Sequence, residues 1–343
     1  MPDFAPEKCH ARSLAAAARM LMFDTEAYPR EWVSAARRTF KQLLGSMPAP
    51  CPLNVRVTGE SQQVTPAGTK YREIEFVFTS EPGGDVPCWL LLPDSAGAKP
   101  PVMICLQGHS SGVHLSLGRA KSAADEKEIA ENADYAIQAV DQGFAALAYE
   151  QRLFGVRGDR RHGDQWSGCN HASMTALLLG RTIAGERVFD VIRAIDALEK
   201  FPEITLDLSR LGIMGHSTGG LISYYAAAIE PRISAVLASC CLCTYAASIA
   251  TVDHCPDNYL PGIMQYFEMV DLAGLIVPRP LLMVSGRQDP LFPHVGVEAF
   301  AGEAKEMCQW LDASEKFQWL PIDGGHRFFG AESWAAFRKL TGW

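Results

Sequence analysis

The 343-residue chain has no long apolar run, no basic block and no export signal that can be recognised. No stretch approaches the ~18 apolar residues of a membrane-spanning helix, so no membrane association is expected. The formal net charge is −8 and Lys and Arg are not clustered, which argues against a nucleic-acid partner. The N-terminus, MPDFAPEKCH, lacks the basic start and apolar core of a secretory signal, so we expect a cytoplasmic protein.

Ten cysteines are present, but they follow no pattern of a disulfide-rich or zinc-binding protein. Cysteines within apolar runs of so long a chain, such as Cys105 in VMICL, are expected to be buried free thiols. One group of cysteines and a histidine could be considered as metal ligands, but their spacing matches no common zinc motif. Adjacent cysteines on a strand also point to opposite faces, so they cannot all bind one ion without a bend. The group comprises Cys240, Cys241, Cys243, His254 and Cys255. We therefore expect neither a metal site nor a cofactor.

The first 70 residues differ in pattern from residues 71–343, which suggests a helical extension and linker before a larger domain. Residues 11–45 are rich in alanine and predict helices, with Pro29 starting a second helix and Gly45 ending the run. No internal repeat or low-complexity linker interrupts the remainder of the chain.

Short apolar runs alternate with helical patterns through the larger domain. Residues 71–78 and 86–92 flank the turn sequence EPGGD and predict an antiparallel hairpin. Further strands are predicted at 102–106, 144–149, 211–214, 235–239, 281–284 and 317–320. Helices are predicted at 122–142, 188–200, 221–229, 294–311 and 331–340. This alternation predicts a mostly parallel sheet with helices on both faces.

Two long stretches, 151–181 and 243–275, do not follow the alternation, and we interpret them as insertions that wall a site. Both carry bulky groups: Phe154, Trp166, Tyr245, Tyr259, Tyr266 and Phe267. If these cover the site they leave a restricted pocket; if they only pack the insertions onto the sheet, they leave an open cleft. Four arginines cluster in the first insertion and could meet an anionic substrate, although a solvated loop is the more ordinary interpretation: Arg152, Arg157, Arg160 and Arg161. Gln107, His254 and Tyr259 are further candidates for substrate contacts.

The sequence GHSTGG, from Gly215 to Gly220, follows a predicted strand and precedes an apolar helix. This is the G-x-S-x-G pattern in a strand–turn–helix setting, where glycines tolerate a sharp turn that exposes the serine. A serine hydroxyl needs a base to take its proton, so Ser217 is a candidate nucleophile that requires a histidine partner.

The partners should follow the serine in the order carboxylate, then histidine. Asp289 follows the buried run LLMVSG, and its rivals Asp253 and Asp271 do not directly follow such a strand. His326 lies in DGGHRFF just past the last strand, where two glycines let the backbone present the ring.

Three other histidines compete with His326 for the role of the base. His216 lies inside the serine turn and should point away from the reactive face. His254 lies in the second insertion, and His294 suits a helix start. We therefore expect a Ser217–Asp289–His326 triad.

Two backbone N–H groups are expected to stabilise an oxyanion. Thr218 directly follows the nucleophile, and His109 lies in the loop QGHSSG after the strand at 102–106.

Residues 100–329 resemble the dienelactone-hydrolase and acetyl xylan esterase-like branch of the α/β-hydrolases. The resembling stretches are QGH, ERVFDVIRAIDAL, GHSTGG, HCPDNYLPG, DLAGLIVPRPLLMVSGRQDPLFP and GGHRF. The resemblance implies an α/β-hydrolase catalytic domain with the triad and oxyanion donors named above. Many relatives have His-Gly where this chain has Gln107-Gly108, which keeps the backbone donor but changes the neighbouring polar contact. Dienelactone hydrolases use a cysteine nucleophile, so a serine favours ester hydrolysis.

The resemblance implies hydrolysis of a small carboxylic ester, such as an acetylated sugar, through an acyl-enzyme. A lactone hydrolase and a prolyl-oligopeptidase-like peptidase are the alternatives, although about 100 residues without repeats cannot hold the peptidase's β-propeller. A non-enzymatic module on the same fold would be expected to lack a triad member. The expected partner is a small ester, and self-association into a homo-oligomer stays open.

Overall fold

The computed structural model describes residues 6–24, 29–94, 99–159, 161, 165–201 and 204–343. The strands in these residues are β1 (Arg56–Val64), β2 (Lys70–Glu81), β3 (Gly84–Pro93), β4 (Pro101–Leu106), β5 (Ala145–Tyr149), β6 (Asp207–His216), β7 (Ala235–Ser239), β8 (Leu281–Gly286) and β9 (Phe317–Ile322). They form one sheet in the order β1-β2-β3-β5-β4-β6-β7-β8-β9.

The helices in the same ranges surround this sheet. They are α1 (Glu7–Ala15), α2 (Pro29–Leu43), α3 (Ala123–Ala130), α4 (Tyr135–Asp141), α5 (Gln165–Leu178), α6 (Ile183–Leu198), α7 (Thr218–Ile229), α8 (Ile263–Tyr266), α9 (His294–Trp310) and α10 (Gly330–Thr341). None of them is long and apolar enough to cross a membrane.

The sheet is antiparallel at one edge and parallel over the rest. Strands β1, β2, β3 and β5 pair antiparallel, and the predicted hairpin is β2–β3. From β5 through β4 to β9 all neighbours are parallel. The carboxyl ends of the parallel strands therefore lie at one edge, where an open α/β sheet builds its site.

Alternate residues of the parallel strands face two separate hydrophobic layers, as the two-residue period of a strand requires. In β4, Val102 and Ile104 face the layer that holds helices α2, α6, α7 and α9. Met103 and Cys105 face the layer that holds α4 and α10. Helices thus cover both faces of the sheet, and the predicted fold class is confirmed.

The N-terminal helices differ in how they contact the sheet. Helix α1 has no buried residue, whereas α2 buries Trp32, Ala36 and Phe40 in the first layer. The ring centre of Phe40 lies 5.2 Å from that of Tyr225 in α7. Helix α2 starts at Pro29, as predicted, and packs on the core of the larger domain.

Strand β1 was missed by the sequence analysis, which placed its residues in the linker. Its sequence, RVTGESQQV, is mostly polar and its side chains are exposed or half-exposed. An edge strand that buries neither face carries no apolar alternation. The strand is held instead by its backbone pairing with β2.

Two further segments differ from the sequence predictions. Residues 122–142 form the two helices α3 and α4 rather than one, and Asn132 between them has a φ of 74°. A backbone at positive φ cannot continue a right-handed helix, so the break at Asn132 is local in origin.

The insertion at 151–181 contains helix α5, and the insertion at 243–275 contains α8.

Candidate active site

Ser217 lies in the turn between β6 and α7. Its backbone has φ 55° and ψ −128°, which is strained for a residue with a side chain. A Cβ atom at Gly215 would lie 2.3 Å from the carbonyl carbon of Gly219, and one at Gly219 would lie 2.3 Å from the Leu106 oxygen. Glycine at both positions therefore permits the sharp turn that projects the serine.

The structure brings together the three side chains that the sequence analysis singled out. His326 Nε2 lies 2.9 Å from Ser217 Oγ, and His326 Nδ1 lies 2.7 Å from Asp289 Oδ2. Asp289 follows β8 and His326 follows β9. Because these strands are parallel neighbours, the loops after them lie side by side and place the two residues together. A tautomer that donates Nδ1–H to Asp289 leaves Nε2 able to accept the serine proton.

The carboxylate of Asp289 is held from both sides. Its side chain is 1% exposed, and its Oδ1 accepts hydrogen bonds from the amides of Leu291 (2.9 Å) and Phe292 (3.2 Å). The Phe292 ring stacks on the His326 ring with centres 5.8 Å apart and planes 17° apart. The imidazole is thereby fixed in position and in plane.

The prediction that His216 points away from the reactive face is wrong. Its buried ring lies 4.8 Å from the His326 ring and its Nδ1 lies 3.3 Å from Ser239 Oγ. The carboxyl-terminal half of β6 is buried on both faces of the sheet. His216 is the last residue of this strand, so its side chain is also buried, and it packs beside His326. Burial and the neighbouring His326 hold the pKa of His216 well below its ordinary value.

We expect His216 to make the folded state acid-sensitive. As the pH falls through about 6.5, the unfolded chain gains a proton at His216 that the folded chain does not accept. The free energy of unfolding should then fall by up to about 1.4 kcal/mol per pH unit from this residue. Urea denaturation at several pH values should show a smaller loss for His216→Gln than for the wild type. The exposed His10→Gln serves as control, and parallel curves for His216→Gln and the wild type would refute the expectation.

The predicted oxyanion loop closely approaches Ser217. A Cβ at Gly108 would lie 3.1 Å from the His216 oxygen and 3.3 Å from the Ser217 Cβ, so the backbone before His109 contacts the serine turn. The amide of Thr218 is the first of helix α7, where no intrahelical acceptor is available. The roles of His109 and Thr218 as oxyanion donors stay predictions.

Gln107 is buried at the base of this loop. Its Nε2 lies 3.3 Å from Glu150 Oε1, and its carbonyl oxygen accepts a 2.7 Å hydrogen bond from Gln151. Glu150 also accepts a 2.9 Å hydrogen bond from the Val113 amide. Burial raises the pKa of Glu150. Gln107 therefore shapes the loop, in addition to lining the cavity beside Ser217.

The other predicted substrate contacts lie elsewhere. Arg152 donates two hydrogen bonds of 2.9 Å to Asp190 and forms an ion pair with Glu186 at 3.0 Å. Its guanidinium is therefore already paired with carboxylates of the protein. The buried His254 Nε2 lies 3.0 Å from Ser248 Oγ, and Tyr259 is 42% exposed beside helix α1. These three residues do not line the cavity at Ser217 in the described part of the chain.

The bulky residues of the insertions mostly pack inward. Phe154, Tyr245 and Phe267 are buried, and Tyr266 packs against the first hydrophobic layer. The side chain of Trp166 and the residue Arg160 lie outside the described residues. The expectation that these aromatics wall the site is therefore wrong for Tyr245 and Phe267, which pack in the first hydrophobic layer, and for Phe154, which is buried in a separate small cluster with Cys169 and Cys255.

A cavity of about 200 Å³ opens beside Ser217 and His326. Its other walls come from the loop after β4, the segment around α3 and α4, and the turn after His326. They include Leu115, Glu128, Glu131, Tyr135, Arg327 and Phe328. The sequence analysis predicted a helix at 122–142 but gave no site role to Glu128, Glu131 or Tyr135, because no motif marks them.

A mostly parallel sheet with a serine at a strand–helix turn, followed along the chain by an aspartate and a histidine, defines the α/β-hydrolase class. The chain belongs to the Abhydrolase family, whose model matches residues 23–309.

The chain is 23% identical over 320 residues to the protein named "Putative hydrolase YtaP" of Bacillus subtilis strain 168, covering 90% of this chain and 98% of that protein. It is similar in structure to a "putative acetyl xylan esterase" of Bacteroides fragilis, with TM-score 0.74, 14% identity and coverage of 94% and 83%. It also resembles a glucuronoyl esterase of Solibacter usitatus, with TM-score 0.67, 17% identity and coverage of 91% and 93%. At these identities the structural likeness concerns the fold.

Proposed function

We propose that the protein is a serine-dependent carboxylic-ester hydrolase that acts through an acyl-enzyme. The observation that carries the proposal is the continuous chain of contacts from Ser217 Oγ through His326 to the buried Asp289, at 2.9 Å and 2.7 Å. Nucleophile, base and orienting carboxylate within hydrogen-bond reach form the arrangement that activates a serine hydroxyl.

The mechanism follows from these contacts. Ser217 Oγ attacks the ester carbonyl while His326 Nε2 takes the hydroxyl proton, and the amides of His109 and Thr218 stabilise the oxyanion. His326 then gives the proton to the leaving alcohol. In the second half, His326 takes a proton from water, the water oxygen attacks the acyl carbon, and Ser217 Oγ leaves with that proton restored.

The described aromatics of the insertions do not restrict the site, so the support for short-acyl substrates comes from the size of the cavity itself. At about 200 Å³ it is smaller than the ~300–1,000 Å³ of typical small-molecule sites. Each methylene that cannot enter loses about 0.8 kcal/mol of burial, and forcing it in costs more. We propose acetyl-type esters as substrates.

We expect kcat/KM for p-nitrophenyl acetate and propionate to exceed that for octanoate by roughly tenfold or more, on the scale of those losses. Measuring the series from acetate to decanoate tests this. Leu115→Ala, which widens the cavity, should shift the preference to longer chains, whereas the matched control Val113→Ala should not, because Val113 is buried in the same loop outside the cavity lining. A maximum at eight carbons or beyond, or no dependence on chain length, would count against a restricted pocket.

The charge at the cavity mouth supports neutral rather than anionic esters. The exposed Glu128 and Glu131 line it, and Arg327 offsets one of their two charges. Two like charges roughly 7 Å apart near a surface repel by about 1 kcal/mol.

We therefore expect p-nitrophenyl hemisuccinate to be a poorer substrate than the neutral butyrate. Replacing both Glu128 and Glu131 by glutamine should raise the hemisuccinate-to-butyrate ratio of kcat/KM by about thirtyfold, the equivalent of ~2 kcal/mol, one repulsion for each carboxylate removed. Glu126→Gln on the same helix but outside the cavity lining is the control. An unchanged ratio in the double variant would show that these carboxylates do not select the substrate.

The lactone and peptide alternatives are tested by the same assay format. A panel of acetylated sugars, aryl acetates, a lactone and a prolyl p-nitroanilide should show highest kcat/KM for the acetate esters. A lactone or peptide substrate that exceeded all acetates would replace the proposed ester specificity while keeping the proposed nucleophile.

A further inference from the structure

A second cluster of reactive side chains lies behind the oxyanion loop. One ligand-type atom from each of His109, Cys169, Cys255 and Asp257 lies within 4.8 Å of the other three. His109 Nε2 is 3.8 Å from Cys169 Sγ. The residues come from the loop after β4, from α5 and from the second insertion, so residues far apart in sequence converge on one point.

The cluster is enclosed and apolar around its polar atoms. Cys169, Cys255 and Asp257 are buried, and both sulfurs belong to a small hydrophobic group that includes Phe154. The His109 ring lies 5.1 Å from the Phe154 ring. Such a shell excludes water and favours binding of a cation by thiolates.

One carboxylate oxygen of Asp257 is a further observation that favours a metal ion at this cluster. Within the described residues, Oδ1 of its buried carboxylate has no hydrogen-bond partner. Its Oδ2 lies 2.8 Å from Arg187 Nη1, and both side chains are fully buried. A buried carboxylate oxygen is normally paired or coordinates a metal. The ion pair with Arg187 accounts for Oδ2, and Oδ1 is the oxygen that remains available to a metal ion.

The donor set matches one metal in particular. Two sulfurs, one imidazole nitrogen and one carboxylate oxygen suit a four-coordinate zinc ion, whose bonds of about 2.0–2.3 Å place ligand atoms roughly 3.3–3.8 Å apart. The cluster requires only a small contraction to reach that spacing. Two thiolates and a carboxylate around Zn²⁺ leave one net negative charge, which Arg187 balances.

We propose that His109, Cys169, Cys255 and Asp257 bind one zinc ion that holds the oxyanion loop in place. The backbone of His109 supplies one proposed oxyanion donor, and its side chain would be a metal ligand. Asn258, which follows the ligand Asp257, accepts a 3.1 Å hydrogen bond from the hydroxyl of Thr218, the second proposed donor. The ion therefore positions both donors without contacting the substrate.

The proposed site differs from the one that the sequence analysis weighed and set aside. Cys240 lies beside Asp289 and His326, and Cys243 lies beside Pro293 at the start of α9. Cys255 lies apart from these two cysteines and close to Cys169, which is 86 positions earlier in the sequence. Spacing rules for adjacent ligands could not show this pairing.

The proposal is tested by measuring zinc in the untagged full-length chain, purified under reducing conditions, with mass spectrometry of the metal content. We expect about one zinc per chain, set by the four-ligand site. After removal of zinc by a chelator and addition of Co²⁺, a thiolate-to-cobalt charge-transfer band should appear in the near ultraviolet. This band reports sulfur ligation in the wild type and depends neither on a variant nor on activity.

Variants then identify the ligands. Cys169→Ser, Cys255→Ser and Asp257→Asn should each raise the zinc dissociation constant by about a hundredfold or more, since even loss of a group that only hydrogen-bonds to a metal ligand costs roughly 10–100-fold. Cys9→Ser, which removes an exposed thiol in α1, should leave zinc binding unchanged. Zinc that binds equally well to the three ligand variants and to the wild type would overturn the proposal. So would a wild-type chain that takes up no zinc, or a Cys169–Cys255 disulfide in the reduced preparation.

Discussion

Replacement of Ser217 by alanine is expected to lower kcat by roughly three or more orders of magnitude without changing the free energy of unfolding. The hydroxyl is the atom that would form the acyl-enzyme, and its 2.9 Å contact with His326 Nε2 positions it for proton transfer. Among the described residues, the hydroxyl has no hydrogen-bond partner other than His326, so its removal breaks no other hydrogen bond of the fold. Steady-state kinetics with p-nitrophenyl acetate, together with urea denaturation, provide the measurement.

A second serine beside the same cavity provides the control. Ser110 lines the cavity next to His109, so Ser110→Ala changes a neighbouring hydroxyl without touching the proposed nucleophile. It should retain most of the wild-type kcat. Comparable losses in both variants, or a Ser217→Ala enzyme with near-normal kcat, would contradict the assignment.

The second large effect is expected for Asp289→Asn. An asparagine amide can donate to His326 Nδ1, which favours the tautomer whose Nε2 carries a proton and cannot accept one from Ser217. In a comparable triad this change lowers kcat by about four orders of magnitude while leaving the geometry intact. We expect a loss of similar size here, measured with the same ester at several pH values.

The rival aspartate Asp253 gives a matched control for that loss. It is exposed and lies in the second insertion, so Asp253→Asn should have almost the wild-type kcat and the wild-type pH profile. If Asp253→Asn and Asp289→Asn were equally impaired, the carboxylate that orients His326 would have to be reassigned.

The sequence predicted the features that depend on local patterns. Buried parallel strands such as β7 (Ala235–Ser239) are continuous apolar runs, so their positions could be read directly. The serine turn could be placed because its glycines are required within five residues of one another. Chain order then limited the candidates for the acid and the base, and the structure places Asp289 and His326 within hydrogen-bond distance of each other.

Features that depend on long-range packing could not be predicted. Strand β1 is defined by pairing with β2 and not by its own polar sequence. Arg152 looked available for a substrate until the fold placed Asp190 and Glu186 beside it. Phe154 looked like a wall of the site, but its ring lies against the His109 ring and under the Arg187 guanidinium. Each outcome was decided by a partner distant in sequence.

Labelling with a fluorophosphonate probe tests the central claim most directly, because such probes react with a serine only when a neighbouring base activates it. The wild-type chain should be labelled once, and peptide mapping should place the label on Ser217 within the peptide that contains GHSTGG. Ser217→Ala should take up no label, whereas Ser110→Ala should be labelled like the wild type. A label on any other serine, or a catalytically active wild-type chain that takes up none, would contradict Ser217 as the nucleophile.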